Sequence, residues 1–501
     1  MPIGGPISPD FLHQLCLRAS SLAIQPWTKH VDSRQPLHRH LLRAMASTTP
    51  LSDPLVTVLG PDPRHRKCVL NGNAFQQDAI TSHNGWQYAV FYSPLRAEAS
   101  EQVFVHVARR KLPVAPWEVL VLDDYPQTVD DGHNTVQMGI CAGDGTIHLS
   151  YDHHCDVLRY RYSVKALASD PDCFPWTSAL FTPTLDHLPG LPRTHEHFGY
   201  VTYPRFGPAG GGRDMFLSFR TGKAGLGDDH LYVYRVGDDG GRFEFVGTHL
   251  VGLQNNPYVH GMDYQVREDG GRLHVTWVYR GFVHYDGWDD LLDTKHKQQA
   301  GPNGAENNHN LCYAYSDNDG RTWRNTHGAL VADLGPGDGR GVTPDAPGLV
   351  VFDIPKGSGL TNQESQAVDA EGGVHVLNRT FEGEGRPMWR HFYREPAGAW
   401  KQHTIGPVTG SKRGRLAVAK SGDLLAILPD SDASTLRILR AVKESKYTEF
   451  QQVWQGSGLS GEPLVDVRRL QNDETLSVFA RLDAGGSKNV VVLDFKLTHK
   501  Y

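Results

Sequence analysis

What this sequence has little of narrows the field before anything else. Six cysteines stand in 501 residues, Cys16, Cys68, Cys141, Cys155, Cys173 and Cys312, and no two of them have C-x-x-C spacing. A zinc ribbon or a dithiol redox site needs that spacing, so both are excluded and the cysteines read as structural or free thiols. No run of about 18 apolar residues could cross a bilayer as a helix. There is no surplus of positive charge: 50 Lys and Arg against 56 Asp and Glu give a formal charge of −6, which excludes nucleic-acid binding by bulk electrostatics. The opening stretch, MPIGGPISPDFLHQLCLRASSLAIQPW, has neither a basic leader nor a clean apolar run, so it does not read as a secretory signal. The 53 glycines and 31 prolines fall short of a low-complexity composition and imply tight turns instead. Hydrophobic residues at 39% and aromatics at 10% suffice for a sizeable core.

What is present is a repeat. From residue 75 onward, a polar or aromatic lead-in, an alternating run, a Gly, Asp or Asn turn, a second alternating run and a polar exit recur seven times. This is the signature of a β-hairpin. The turns fall near Gly85, Gly145, Gly212, Gly270, Gly372, Gly422 and Asn472. One hairpin plus the residues after it fits the four strands of a propeller blade. The long interval between Gly270 and Gly372 holds an insertion, residues 284–312, with a short amphipathic helix. After the insertion, Ser316-Asp317-Asn318-Asp319-Gly320-Arg321-Thr322-Trp323 matches an Asp-box, with Asn318 at the usual Asp position. The expected fold is all-β: a single seven-bladed β-propeller over 51–501, preceded by an extension over 1–50 that is mobile or loosely packed. Closure is expected through the C-terminal strand 489–497 sharing a blade with 55–60, because a closed ring has no exposed edges.

In a blade the first strand lines the channel and the second runs antiparallel to it. The start of one and the end of the other therefore share a rim. This logic brings together His133 and Asn134 with His153 and His154, Tyr203 with Arg220, Tyr258 and His260 with Arg280, and Asn362 and Gln363 with Arg379, with Arg413 joining from the sixth blade. His148, His274 and His375 hold one interior strand position in three blades and read as structural. His133 and His153 fit acid–base work near neutral pH, a metal pair, or two solvated rim histidines. Without a third ligand they fall short of a zinc site. Arg220 ends an apolar strand and suits a bidentate carboxylate clamp, or else pairs with an acid such as Asp152. A cation beside Tyr203 would favour its phenolate.

The DGHN lead-in, the SYDHH exit, the TYPRF and SFRTGKAGLG segments, the LHVTWVYR strand and the NQESQAVDAEGGVHV strand together resemble the propeller polysaccharide lyases. That group includes ulvan lyases and the fungal L-rhamnose-α-1,4-D-glucuronate lyase acting on gum arabic, to which the segment spacing is most similar. The resemblance spans roughly residues 55–500. It implies cleavage of a 4-linked glucuronate by β-elimination, releasing terminal rhamnose and leaving a 4,5-unsaturated uronate. It also implies catalytic roles for His133, His153, Tyr203 and Arg220. Arg220 would neutralise the carboxylate with help from His133 or Asn134, His153 would take the C5 proton, and Tyr203 or His153 would protonate the leaving oxygen. Sugar binding falls to Asn134, Tyr258, His260, Arg280, His309, Asn362 and Gln363.

No cofactor is expected and no metal is assigned, although the fold class could hold a structural calcium. The expected partner is an acidic polysaccharide or oligosaccharide, with no nucleic acid, no membrane and no second subunit. Such a substrate suggests an extracellular setting. Two rival readings stand beside this one. A sialidase-like hydrolase would need three converging arginines and a Tyr–Glu pair, for which Glu364 and Glu462 are the comparable rim acids. A non-catalytic carbohydrate-binding propeller would need neither.

Overall fold

The computed structural model describes residues 50–95, 102–268, 270–297, 301–335, 339–484 and 486–497. The expected extension over 1–50 thus lies, but for its last residue, outside the described residues. Alternating hydrophobic runs broken by left-handed glycines fold as antiparallel hairpins, and these build seven sheets. In chain order the blades begin at Ile80–His83, Val136–Ile140, Val201–Ala209, Asn255–Arg267, Ser365–Val368, Arg415–Val418 and Leu459–Val465, each innermost strand pairing with the strand that follows it. The hairpin glycines Gly85, Gly145 and Gly422 have φ of 77°, 68° and 88°, which side chains with a Cβ adopt at a cost. The seventh blade departs from the expected turn at Asn472. There the α-helix Val467–Asp473 joins the first two strands, capped by the Asp466 side chain on the Arg469 amide. Among the described residues no helix is long and apolar enough to cross a membrane.

Closure follows the expected pairing. Strand Leu55–Pro61 lies antiparallel against Ser487–Lys496, with Leu55 opposite Asp494 and Val58 opposite Val491, so the first strand completes the last blade. A buried network fastens this blade to the first. Asp494 accepts from Arg110 at 2.6 Å, Arg469 at 2.7 Å and Ser477 at 2.7 Å, while Asp466 accepts from Gln87 and Ser82.

The Asp-box behaves as a structural turn. Gly320 has φ of 83° and donates to Ser316 Oγ, Asn318 Oδ1 takes the Thr322 amide, and Trp323 is fully buried against His249. The insertion joins Gly270–Gly281 to Asn308–Ser316 and carries, among the described residues, the 3-10 turns Lys295–Lys297 and Ala305–Asn307; residues 308–312 belong to the strand. It is anchored by the buried Lys223, whose Nζ donates to the carbonyls of Trp288 and Asp290. His148, His274 and His375 are buried and hydrogen-bonded between strands, to Tyr160, Tyr313 and His391.

Candidate active site

A cavity of about 230 Å3 opens at the rim where the hairpins begin and end. Phe75, His133, His154, Tyr203, Arg220, Ala224, Tyr258, Arg280, His296, Lys297, Asn362 and Arg413 line it. Strand register explains much of this convergence: Thr202 is opposite Arg220 in the third blade, and Asn256 is opposite Arg280 in the fourth.

Arg220 and Arg280 are 3% and 6% exposed. Arg220 donates to Asn256 Oδ1 at 3.2 Å, Tyr258 Oη at 3.1 Å and the Gly222 carbonyl at 3.0 Å. Arg280 donates to Asn308 Oδ1 at 2.8 Å, Tyr258 Oη at 3.2 Å, the Asn303 carbonyl and Asn362 Oδ1. Both guanidiniums thus meet at one phenol oxygen. Among the described residues neither has a carboxylate within ion-pair distance, and Arg220 Nε is buried without an acceptor. The suggested partner Asp152 is taken by Tyr125, Asn134 and Arg159. Buried cations without counter-ions are costly, and an anionic ligand removes that cost. Arg413 differs, since it pairs with Glu462 at 3.2 Å.

Tyr203 sits in a β-bulge with φ of 57°, and Pro204 follows it. A bulge re-aims a side chain, and a left-handed non-glycine residue is strained by about 1–3 kcal/mol. Its ring lies under Arg220 at 4.9 Å and beside Phe75 at 4.9 Å. The expected phenolate does not follow. Burial, reinforced by the neighbouring Tyr258 phenol, outweighs Arg220, Arg280 and Arg413, and the Tyr203 phenol is pushed well above its ordinary range.

The histidine pair is not the expected one. His133 stacks on His154, with centroids 3.9 Å apart and 23° between planes, and both Nδ1 atoms meet Asp131, at 2.6 Å and 2.5 Å. His153 is turned inward: its Nε2 accepts the Arg159 amide at 2.8 Å and its Nδ1 is buried. Burial drives the His154 pKa down to about 3, aided by His133, against the pull of Asp131. The donor atoms of Asp131, His133 and His154 lie within 4.8 Å of one another. Both Nδ1 atoms are spent on the carboxylate, however, and two Nε2 atoms fall short of the three or four ligands zinc takes.

Of the other expected binding residues, Tyr258, Arg280 and Asn362 line the cavity. Asn134 lies behind it, holding Asp152 at 2.7 Å. His260 is buried between the Glu364 amide and Asn378, Gln363 is buried with φ of 54°, and His309 contacts Asn255 outside the lining. Asp131, Phe75, His296 and Lys297 stand outside the expected site residues, and Arg413 is expected on the rim without a role. The Asp two positions before His133 and the doubled histidine at 153–154 were the available signals.

The sequence profile of BNR repeat-containing family members matches residues 86–407. No curated protein matches the chain. Among solved structures, the polysaccharide lyase Uly1 aligns over 89% of this chain and 99% of its own, with TM-score 0.64 and 18% identity. A Trypanosoma rangeli sialidase aligns over 88% of this chain and 60% of its own at TM-score 0.39 and 11% identity. An α-L-arabinofuranosidase from Fusarium graminearum aligns over 72% and 92% at TM-score 0.38 and 12% identity.

Proposed function

The chain belongs to the BNR repeat-containing family, and on that premise we propose that it is a polysaccharide lyase cleaving a 4-linked glucuronate by β-elimination. The observation that carries this reading is the pair of buried guanidiniums, Arg220 and Arg280, which meet at Tyr258 with no carboxylate partner among the described residues. A uronate carboxylate supplies the missing charge. Once it is neutralised, the C5 proton becomes removable, because the carbanion delocalises onto carboxylate oxygens held by cations.

His133 takes the C5 proton on Nε2. The C5–H electron pair becomes the C4=C5 double bond, and the C4–O4 bond breaks. Tyr203, kept protonated by burial, gives its proton to O4. No water enters the broken bond, and return of a proton from imidazolium to phenolate restores the site. The small cavity, walled by His296 and Lys297 of the insertion, suits removal of a chain-terminal sugar such as rhamnose from gum arabic-type arabinogalactan. The fold neighbour Uly1 is itself a polysaccharide lyase.

Three arginines in the cavity would also suit a sialidase-like hydrolase. That chemistry needs a Tyr–Glu pair, and here Glu364 is held by Arg379 and Thr361 while Glu462 is held by Arg413 and the Ala74 amide. The test is incubation with gum arabic and with ulvan, following ultraviolet absorbance and released sugar. Rhamnose release with growth of a conjugated-alkene absorbance is expected. Sugar release without absorbance would make the protein a hydrolase, and binding without release a carbohydrate-binding propeller.

A further inference from the structure

We propose that Asp131 is a positioning residue that makes His133 and His154 a single device, with His133 as its working base; the inference rests on the elimination reading above for the reaction the device serves. Each carboxylate oxygen has one ring. Oδ1 meets His133 Nδ1 at 2.6 Å and takes the His133 backbone N–H at 2.9 Å, while Oδ2 meets His154 Nδ1 at 2.5 Å. An ionised carboxylate only accepts hydrogen bonds, so each ring must donate from Nδ1 and carry its lone pair on Nε2. Asp131 stays ionised: burial opposes its charge, but the bonds from His133 and His154 hold its carboxyl well below the usual range. Neither Nε2 has a hydrogen-bond partner among the described residues, and both rings line the cavity.

The two rings are not equivalent. His154 is buried and stays neutral, whereas the His133 side chain is 30% exposed and can take a proton from a ligand. His133 is sandwiched between His154 and Phe75, the latter at 4.9 Å and 13°, so its plane is fixed on both faces. The two histidines also come from different parts of the ring. His133 leads into the second blade, while His154 starts a short strand paired with Thr202 of the third, next to Tyr203. Asp131 therefore staples the base to the strand that carries the proposed acid. An imidazolium forming on His133 arises beside this carboxylate, so Asp131 orients the base and stabilises its charged product. The other charged or titratable groups around the device are Arg220, Tyr203, His296 and Lys297 on the cavity side, with Asp130 and Cys68 behind the carboxylate.

Asp131→Asn keeps the shape but offers one acceptor oxygen and an amino group, so one ring must change tautomer. We expect kcat to fall by about 10²-fold or more, with KM within about threefold because Arg220 and Arg280 are untouched. Asp131→Glu, which restores two acceptors, should regain part of kcat. Nitrogen NMR of histidine-labelled full-length protein, with the two rings picked out from the 26 histidines by the signals lost in His133→Gln and His154→Gln, supplies a readout that needs no turnover: both rings protonated on Nδ1 with free Nε2 are expected. Asp131→Asn turning over within threefold of wild type, a loss confined to KM, or a proton on Nε2 rather than Nδ1 of the wild-type His133 or His154 ring would overturn the proposal. Should no uronide be cleaved by the wild type, the elimination reading fails, and the tautomers still decide whether Asp131 sets the pair.

Discussion

Substitution of Arg220 tests the carboxylate clamp most directly. Its Nη1 and Nη2 hold Asn256, Tyr258 and the Gly222 carbonyl, and its charge has no anion among the described residues. Arg220→Lys keeps the charge but loses the planar fork. A charge-assisted hydrogen bond is worth about 1.5–3 kcal/mol, so losing one that tightens as the carbanion forms should lower kcat by roughly 10- to 150-fold. KM should change only a few-fold, because Arg280 still meets the ground-state carboxylate. Arg220→Met removes the cation itself and should cost a further order of magnitude or more.

The same substitution has a second signature. Breaking a buried ion pair costs about 3–5 kcal/mol, since it strands the partner's charge. Arg220 strands no charge, only the acceptors Asn256 Oδ1, Tyr258 Oη and the Gly222 carbonyl, so Arg220→Met should cost about 1–3 kcal/mol, less than a broken ion pair, and melt only slightly below the wild type. Both quantities are easily read, the first by alkene absorbance at several substrate concentrations and the second by thermal melting. A methyl-esterified uronate supplies a control, because its carboxyl is already neutral and the variants' defect should shrink on it. Equal defects on acid and ester, an effect confined to KM, or a large drop in Tm would mean that Arg220 is structural or merely binds.

Tyr203→Phe should lower kcat by about 10²–10⁴-fold with no change in Tm, because its hydroxyl has no hydrogen-bond partner among the described residues; retention of a tenth of the activity would remove it as the acid. His133→Ala should lose activity on the same scale, whereas His153→Ala should chiefly lower Tm, its ring being packed against the Arg159 amide; the reverse ranking would return the base to His153. Asp494→Ala should cost about 3–5 kcal/mol in urea melts, since it leaves Arg110 and Arg469 buried without their shared anion; a loss under 1 kcal/mol would dissociate this network from ring closure. Burial depresses His148 and His260 to about 3 and His249 to about 4, below an unfolded value near 6.5, so the unfolded chain takes up protons first as pH falls. Stability should therefore be complete above about pH 6.5 and decline toward pH 4 by roughly 1.4 kcal/mol per pH unit for each such group, opposed by Asp78, which burial raises to about 6. Urea midpoints that are flat from pH 7 to 5 would contradict this.

The parts of the site that were legible in the sequence are those fixed by hairpin arithmetic. Period-two alternation on both sides of a glycine turn sets the strands of Tyr203 and Arg220, and those of Tyr258 and Arg280, side by side at one rim, although bulges make Thr202 and Asn256 the residues directly opposite the two arginines. The closing pair, 55–60 with 489–497, was readable because a closed ring leaves no exposed edge. Counting failed where the alternation itself breaks. Asp152 and Cys155 flank the two histidines with φ of 63° and 51°, and the chain there leaves the second blade to pair with the third. One irregular step exchanges inside for outside, which is why His154 rather than His153 faces the cavity. His260 lies in the register shift between Val259 and Gly261, Gln363 has φ of 54°, and His309 lies where pairing slips between Val278 and Tyr279. All of these were expected at the rim, and each is turned away by an irregularity that its own residue type does not announce. Asp131 escaped for a different reason: its role depends on two rings that are 2 and 23 residues away, and only the turn at Asp152 brings the second within reach. The left-handed residues that defeat the counting, Asp152, Cys155, Tyr203 and Gln363, lie at or beside the cavity, where strained backbone aims side chains that a regular strand would send elsewhere.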